Sequence, residues 1–119
     1  MKILLAEDNI INQKMGTAML KSIGFEPVLA VNGKEALEKA QEEHFDCIVM
    51  DLDMPIMDGY EAAAAIKERV GDIPIIALTG DYDDEVLRKV IDCGMYKALK
   101  KPLDRERLES AIRSATKHR

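Results

Sequence analysis

Ile3-Leu4-Leu5-Ala6, Cys47-Ile48-Val49-Met50 and Ile75-Ile76-Ala77-Leu78 are each apolar at every position. A strand with one wet face alternates in hydrophobicity, so short continuous runs indicate strands buried on both faces. Such burial needs a layer of helices on each side of the sheet, and it favours parallel strands joined by helical crossovers. Strands are expected over 2–6, 26–31, 45–50, 73–78 and 97–100, and helices over 9–23, 33–43, 58–69, 83–93 and 104–116. Regular βα alternation with right-handed crossovers then makes a single three-layer α/β/α domain over residues 1–119.

The helix ends carry chemical marks. Asn9, Asn32, Asp58 and Asp104 stand where an N-cap is wanted, and Asn32…Glu35 and Asp58…Glu61 have capping-box spacing. Gly24 and Gly94 stand where helices should stop in a left-handed residue. Tyr82, Val86, Leu87, Val90 and Ile91 form one apolar stripe, and Leu108, Ala111, Ile112 and Ala115 form another. Both are read as core-facing.

Composition narrows the function. No apolar run approaches the ~20 residues of a membrane span, and the start is too short for a secretory signal, so the cytoplasm is the default. Cys47 and Cys93 form no CxxC pair and are read as buried or half-buried thiols in a reducing compartment. His44 and His118 lack zinc-site spacing. The net charge of −5 hides a basic end: residues 97–119 hold 8 Lys+Arg against 3 Asp+Glu. With no aromatic residues among those cations, the bland reading is a solvated last helix with Arg113, Lys117 and Arg119 at its C-terminus. Direct nucleic-acid binding is not expected.

The polar residues that end the apolar runs carry the chemistry. Glu7-Asp8 follows the first strand, Asp51 the third, Thr79 the fourth and Lys101 the fifth. In an open α/β sheet the strands' carboxyl ends border the binding crevice. Two ionised carboxylates about 5 Å apart repel by roughly 3 kcal/mol at an effective dielectric near 20, so Glu7, Asp8 and Asp51 call for a cation. Few carboxylates with room for water suit Mg²⁺ better than Ca²⁺. A metal, an ammonium and a hydroxyl around one carboxylate are what a transferred phosphoryl group needs, with Asp51 as the nucleophile. Any one of these residues alone has a simpler role: Asp8 could cap the first helix, and Lys101 could be a surface lysine before a proline.

Glu7-Asp8-Asn9, the segment Asp51…Met54-Pro55…Met57-Asp58-Gly59, Leu78-Thr79-Gly80 and Lys101-Pro102 together resemble the receiver domain of two-component response regulators, over essentially the whole chain. The resemblance implies a flavodoxin-like (βα)5 fold with parallel strand order 2-1-3-4-5. It implies phosphorylation of Asp51 by a histidine kinase or histidine phosphotransfer protein, and a downstream effector protein. Asp8 would bind Mg²⁺ (or Mn²⁺) directly, Glu7 mostly through water, with Asp51 and the backbone carbonyl of Asp53 as further ligands. Thr79 and Lys101 would hold the phosphoryl oxygens, with a cis peptide between Lys101 and Pro102. Such a domain supports only its own phosphorylation and dephosphorylation. The run Glu7-Asp8-Asn9…Asn12-Gln13 is most similar to receivers of hybrid kinases and phosphorelays.

Three positions depart from the family pattern. Ala98 replaces the usual Phe or Tyr of the fifth strand, with Tyr96 and Tyr82 as possible substitutes. Gly80 replaces the usual Ala and is expected to leave the phosphoryl pocket accessible. Asp53 and Asp81, each two residues past Asp51 and Thr79, flank the water path and are expected to set the phosphoryl lifetime. Two alternatives stand beside the receiver reading. One is a phosphorylation-independent pseudo-receiver, which Ala98 favours. The other is a haloacid-dehalogenase-like phosphatase, opposed by an acidic pair that precedes rather than follows the lysine.

Overall fold

The computed structural model describes residues 1–117, so His118 and Arg119, both named above, lie outside the described residues. Five strands, β1 (Lys2–Ala6), β2 (Glu26–Ala30), β3 (Cys47–Asp51), β4 (Ile75–Thr79) and β5 (Lys97–Lys100), alternate with five helices. The helices are α1 (Ile10–Ile23), α2 (Gly33–Glu42), α3 (Gly59–Arg69), α4 (Asp84–Asp92) and α5 (Arg105–Thr116). The sheet is parallel throughout, in the order β2-β1-β3-β4-β5. This is the expected flavodoxin-like topology.

The continuous apolar runs divide by parity. Leu4, Ala6, Ile48, Met50, Ile75 and Ala77 point into the core shared with α2 and α3, together with Phe45 and Ile66. Ile3, Leu5, Cys47, Val49, Ile76 and Leu78 point into a second core with Leu20, Leu108 and Ile112 of α1 and α5. Two buried faces explain why these runs have no polar positions. Each fully buried aliphatic side chain contributes about 1.5–3 kcal/mol.

Three strands differ from expectation in their bounds, β2 only in ending at Ala30 rather than at residue 31. β3 begins at Cys47 rather than at residue 45 and runs on to Asp51, which pairs with Leu78. β4 begins after Pro74, which offers only its carbonyl, accepting from Ile48 N–H, and it runs on to Thr79. Asp51 and Thr79 therefore sit inside the ladder, held by its hydrogen bonds, rather than on the loops that follow.

The caps at Asn9, Asn32, Asp58 and Asp104 all form, and Asp83 caps α4 in the same way. The Glu35 carboxylate accepts from Val31 N–H, one residue before the capping-box position. Gly24 and Gly94 take φ of 106° and 81°. The α5 stripe is buried as expected, but the α4 stripe is not: Val90 is buried, Val86 and Leu87 are half-buried, and Tyr82 and Ile91 are 48% and 64% exposed. The nine-residue α4 lies beside the sheet's last and shortest strand, so only a narrow line of it meets the core. Cys47 is buried and Cys93 half-buried, and no disulfide joins them.

Candidate functional site

β1, β3 and β4 end side by side, which brings their polar residues to one edge of the sheet. The Glu7, Asp8 and Asp51 carboxylates each offer an oxygen, all within 4.8 Å of one another. Glu7 and Asp51 are buried, whereas Asp8 is exposed. Asp8 caps nothing; that role falls to Asn9, whose side chain accepts from Asn12 N–H.

Lys101 follows β5 and is tied back by its own N–H, which donates to Thr79 C=O at 2.8 Å. Its ammonium reaches 3.0 Å from Asp51 Oδ2 and 3.5 Å from Glu7 Oε1. The Lys101–Pro102 peptide is cis. Burial alone would lower the lysine's pKa, but the Asp51 and Glu7 carboxylates outweigh it and raise the value. Glu7 is pushed up to about 7, chiefly by burial. The Asn9 N–H bond to its carboxylate opposes that rise, and the neighbouring Asp51 adds to it. One ammonium thus faces a buried acidic pair whose second charge the protein holds only at a cost.

Thr79 is buried beside the group, but its hydroxyl is turned toward the following loop. It accepts from Asp81 N–H at 3.0 Å and donates to Asp81 C=O at 3.2 Å. Asp51 Oδ1 accepts from Asp53 N–H at 3.2 Å, and Asp53 and Asp81 are both exposed. A Cβ added at Gly80 would meet nothing within 4 Å, so the glycine is not sterically required. Ala98 is buried. Neither tyrosine replaces a larger residue there: Tyr96 precedes β5 with its hydroxyl on Ser114, and Tyr82 stands exposed at the rim of a groove beside Ala98.

Sequence reasoning missed the supports. Gln13 Nε2 donates to Glu7 C=O at 2.9 Å; its place one turn after the Asn9 cap was the available signal. In the sequence Gly59 stands only as the last residue of the Asp51…Gly59 segment. A Cβ on it would lie 2.4 Å from Asp51 C=O, and one on Gly33 would lie 2.1 Å from Met57 C=O. These two glycines let α3 and α2 close on the segment that carries Asp51. No local pattern marks Gly33, since its contact is with Met57 in the loop before α3.

The arrangement suits a hard divalent cation, because three carboxylates converge and one of them is open to water. With that geometry in hand, the comparisons are consistent. The chain belongs to the response regulator receiver domain family, whose model matches residues 3–113. It is a receiver domain of two-component systems, a signalling rather than a catalytic family. Hybrid signal transduction histidine kinase K of Dictyostelium discoideum is 38% identical over 99% of this chain, and the osmosensing histidine protein kinase SLN1 of Saccharomyces cerevisiae is 36% identical over 93%. The chain spans about 10% of the length of each.

Two solved structures are informative. One is the receiver domain of a Pseudomonas aeruginosa sensor histidine kinase with magnesium coordinated in its active-site cleft. Its TM-score is 0.91 at 34% identity, covering 98% of this chain and 97% of that one. The other is the Saccharomyces cerevisiae phosphotransfer protein Ypd1 with the receiver domain of its downstream response regulator Ssk1. Its TM-score is 0.90 at 29% identity, covering 98% of this chain and 88% of that one. Among the described residues no helix is long and apolar enough to cross a membrane.

Proposed function

We propose that this receiver domain accepts a phosphoryl group on Asp51 from a phosphohistidine donor and, once modified, changes its contacts with an effector protein. One observation carries the reading: the buried Asp51 carboxylate lies in hydrogen-bonding reach of the Lys101 ammonium, beside two further carboxylates at the sheet's carboxyl edge. An Asp51 carboxylate oxygen attacks phosphorus, the P–N bond breaks, and its electron pair returns to the donor imidazole, which picks up a proton from solvent. Lys101 draws its ammonium onto a phosphoryl oxygen. Thr79 exchanges its Asp81 backbone partners for another, which pulls the β4–α4 loop toward the site.

Glu7, Asp8, Asp51 and the Asp53 carbonyl would hold Mg²⁺ or, with the same oxygen preference, Mn²⁺; bound there, the ion offsets the carboxylate repulsion and neutralises phosphoryl charge. Support for a donor surface comes from α1, where Ile10, Ile11 and Met15 are 66%, 68% and 48% exposed directly after the acidic pair. Exposed apolar residues this close to a reactive carboxylate fit a phosphotransfer partner that buries them while it delivers phosphate. Two thiols with no disulfide between them fit a cytoplasmic setting.

The test is label uptake from acetyl phosphate and from a phosphohistidine protein, with and without Mg²⁺. Wild type should become labelled only with the metal, and Asp51→Asn should not become labelled at all. Incorporation into Asp51→Asn would refute the assignment, and a wild type that takes no label would favour the pseudo-receiver. Steady turnover of a small phosphate ester would favour the phosphatase.

A further inference from the structure

The turn that carries the acidic pair, between β1 and α1, is fixed largely through its backbone. Glu7 N–H donates to Ala30 C=O at 3.0 Å, which carries the pairing with β2 one residue further. Asn9 N–H donates to the Glu7 carboxylate at 3.1 Å, and Asn9 C=O accepts from Gln13 N–H at 2.8 Å. Between these ties lies the Glu7–Asp8 peptide. Its carbonyl is held by a side chain, the Gln13 amide, whose Nε2 donates at 2.9 Å.

Gln13 can reach that carbonyl because α1 lies close on β1. Gly16, on the next turn of the helix, is buried, and a Cβ there would come 2.8 Å from Leu5 Cδ2. Glycine is a poor helix former, so its place inside α1 marks a close approach rather than a local preference. Gln13 is itself half-buried.

Asp8 is the carboxylate that needs this support. Asp51 is held by Asp53 N–H and the Lys101 ammonium, and Glu7 by Asn9 N–H and the same ammonium. Among the described residues no hydrogen bond or ion pair holds the Asp8 side chain, which is the exposed member of the converging three. Its direction is therefore set by its backbone, and the peptide that precedes it is the one Gln13 fixes. A hard cation such as Mg²⁺ demands near-ideal ligand geometry. Groups that orient ligands from behind govern affinity nearly as strongly as the ligands do.

From this bond and the otherwise unsupported Asp8, we infer that Gln13 is a positioning residue for the divalent cation. Its amide locks the Glu7–Asp8 peptide so that the Asp8 carboxylate converges with Glu7 and Asp51 before the ion arrives. The inference rests on the proposed metal-dependent site and assigns part of that site's affinity to a helix residue that is not a ligand.

The experiment compares wild type with Gln13→Met, which matches the length of Gln13 and has no donor. Mn²⁺ alone is followed by loss of its free-ion paramagnetic signal, and Mg²⁺ alone by calorimetry, so no phosphodonor is involved. Losing an orienting partner costs about 10–100-fold in metal affinity. The bond here goes to a ligand residue's carbonyl rather than to its carboxylate, so the lower figure, about tenfold, is expected. Gln13→Asn keeps the amide but stops one methylene short, and it should weaken binding similarly, which covers a Met variant that fails to fold. Thr17→Val, one turn farther along α1, should bind the ions as wild type does. In label uptake from acetyl phosphate, Gln13→Met should raise the half-saturating Mg²⁺ about tenfold and lower the plateau rate by less than that. A merely structural role would lower the plateau through lost folded protein and leave the half-saturating concentration where it was, which would overturn the inference. Wild-type affinity in either folded Gln13 variant, an equal loss in Thr17→Val, or a wild type that binds neither ion would overturn it too. A wild type that binds the ions through Gln13 yet takes no label counts against phosphotransfer, while the inference stands.

Discussion

Gly59 is where the fold presses hardest on the candidate site, and replacing it with Ala is the sharpest test of how Asp51 is held. A Cβ at Gly59 would approach Asp51 C=O to 2.4 Å and Leu52 Cα to 2.8 Å, about 1 Å and 0.6 Å inside ordinary contact at 3.4 Å. Both obstacles are backbone, and the same backbone is tied down because Gly59 N–H donates to Leu52 C=O. No side-chain rotation can relieve the clash, so the start of α3 and the end of β3 must part. Overpacking of this kind costs about 1–3 kcal/mol, and with rigid neighbours the upper end applies. Alanine's better helix propensity returns up to about 1 kcal/mol. The net expectation is a loss of about 2 kcal/mol, which for a domain of this size lowers Tm by roughly 8 °C.

Function should suffer more than stability does. A 1 Å displacement of a reacting group can cost on the order of 100-fold in rate. Urea unfolding and the acetyl phosphate labelling rate read the two effects separately. Gly80→Ala is the control, because its Cβ enters open space. It should unfold within about 0.5 kcal/mol of wild type, as ordinary surface changes do. If Gly59→Ala also unfolds within that margin and labels at the wild-type rate, contact between α3 and β3 is not what positions Asp51.

Other outcomes follow from the same geometry. Glu7 titrates near 7 in the fold, against 4.5 unfolded, so the unfolded chain loses this proton first as pH rises. The contribution is fully present below pH 4.5 and falls by about 3 kcal/mol by pH 8; in EDTA the stability difference between wild type and Glu7→Gln should show that fall. Mg²⁺ should reduce it, and a difference that is flat with pH would refute the burial argument. Ile56 holds φ of 70° while 78% exposed. Because a branched side chain is strained there, Ile56→Asn should stabilise by about 1 kcal/mol in urea melts, and no gain would show that the strain is absent. The double variant Asp53→Asn, Asp81→Asn should change the dephosphorylation rate of labelled protein, since the backbones of these exposed acids bond the Asp51 and Thr79 side chains; an unchanged rate removes them from any part in the phosphoryl lifetime.

Much of this was legible in the chain because it depends on neighbours in sequence. The continuous runs at Ile3–Ala6, Cys47–Met50 and Ile75–Leu78 report burial on two faces, and Asn9, Asn32, Asp58 and Asp104 place helix starts to within a residue. Parallel strands end at the same side of their sheet, so Glu7, Asp8, Asp51, Thr79 and Lys101 had to gather once the strands were known. What their side chains do there was decided by packing. Burial raises Glu7, the Thr79 hydroxyl bonds Asp81 rather than Asp51, and Gly59 and Gly33 matter because backbone from elsewhere in the chain crowds them. Tyr82 and Ile91 have the period of a core stripe, yet they stay in solvent because the sheet ends at β5 and no described residue covers them. Periodicity records which face of an element is apolar, and only the tertiary structure determines whether anything is packed against it.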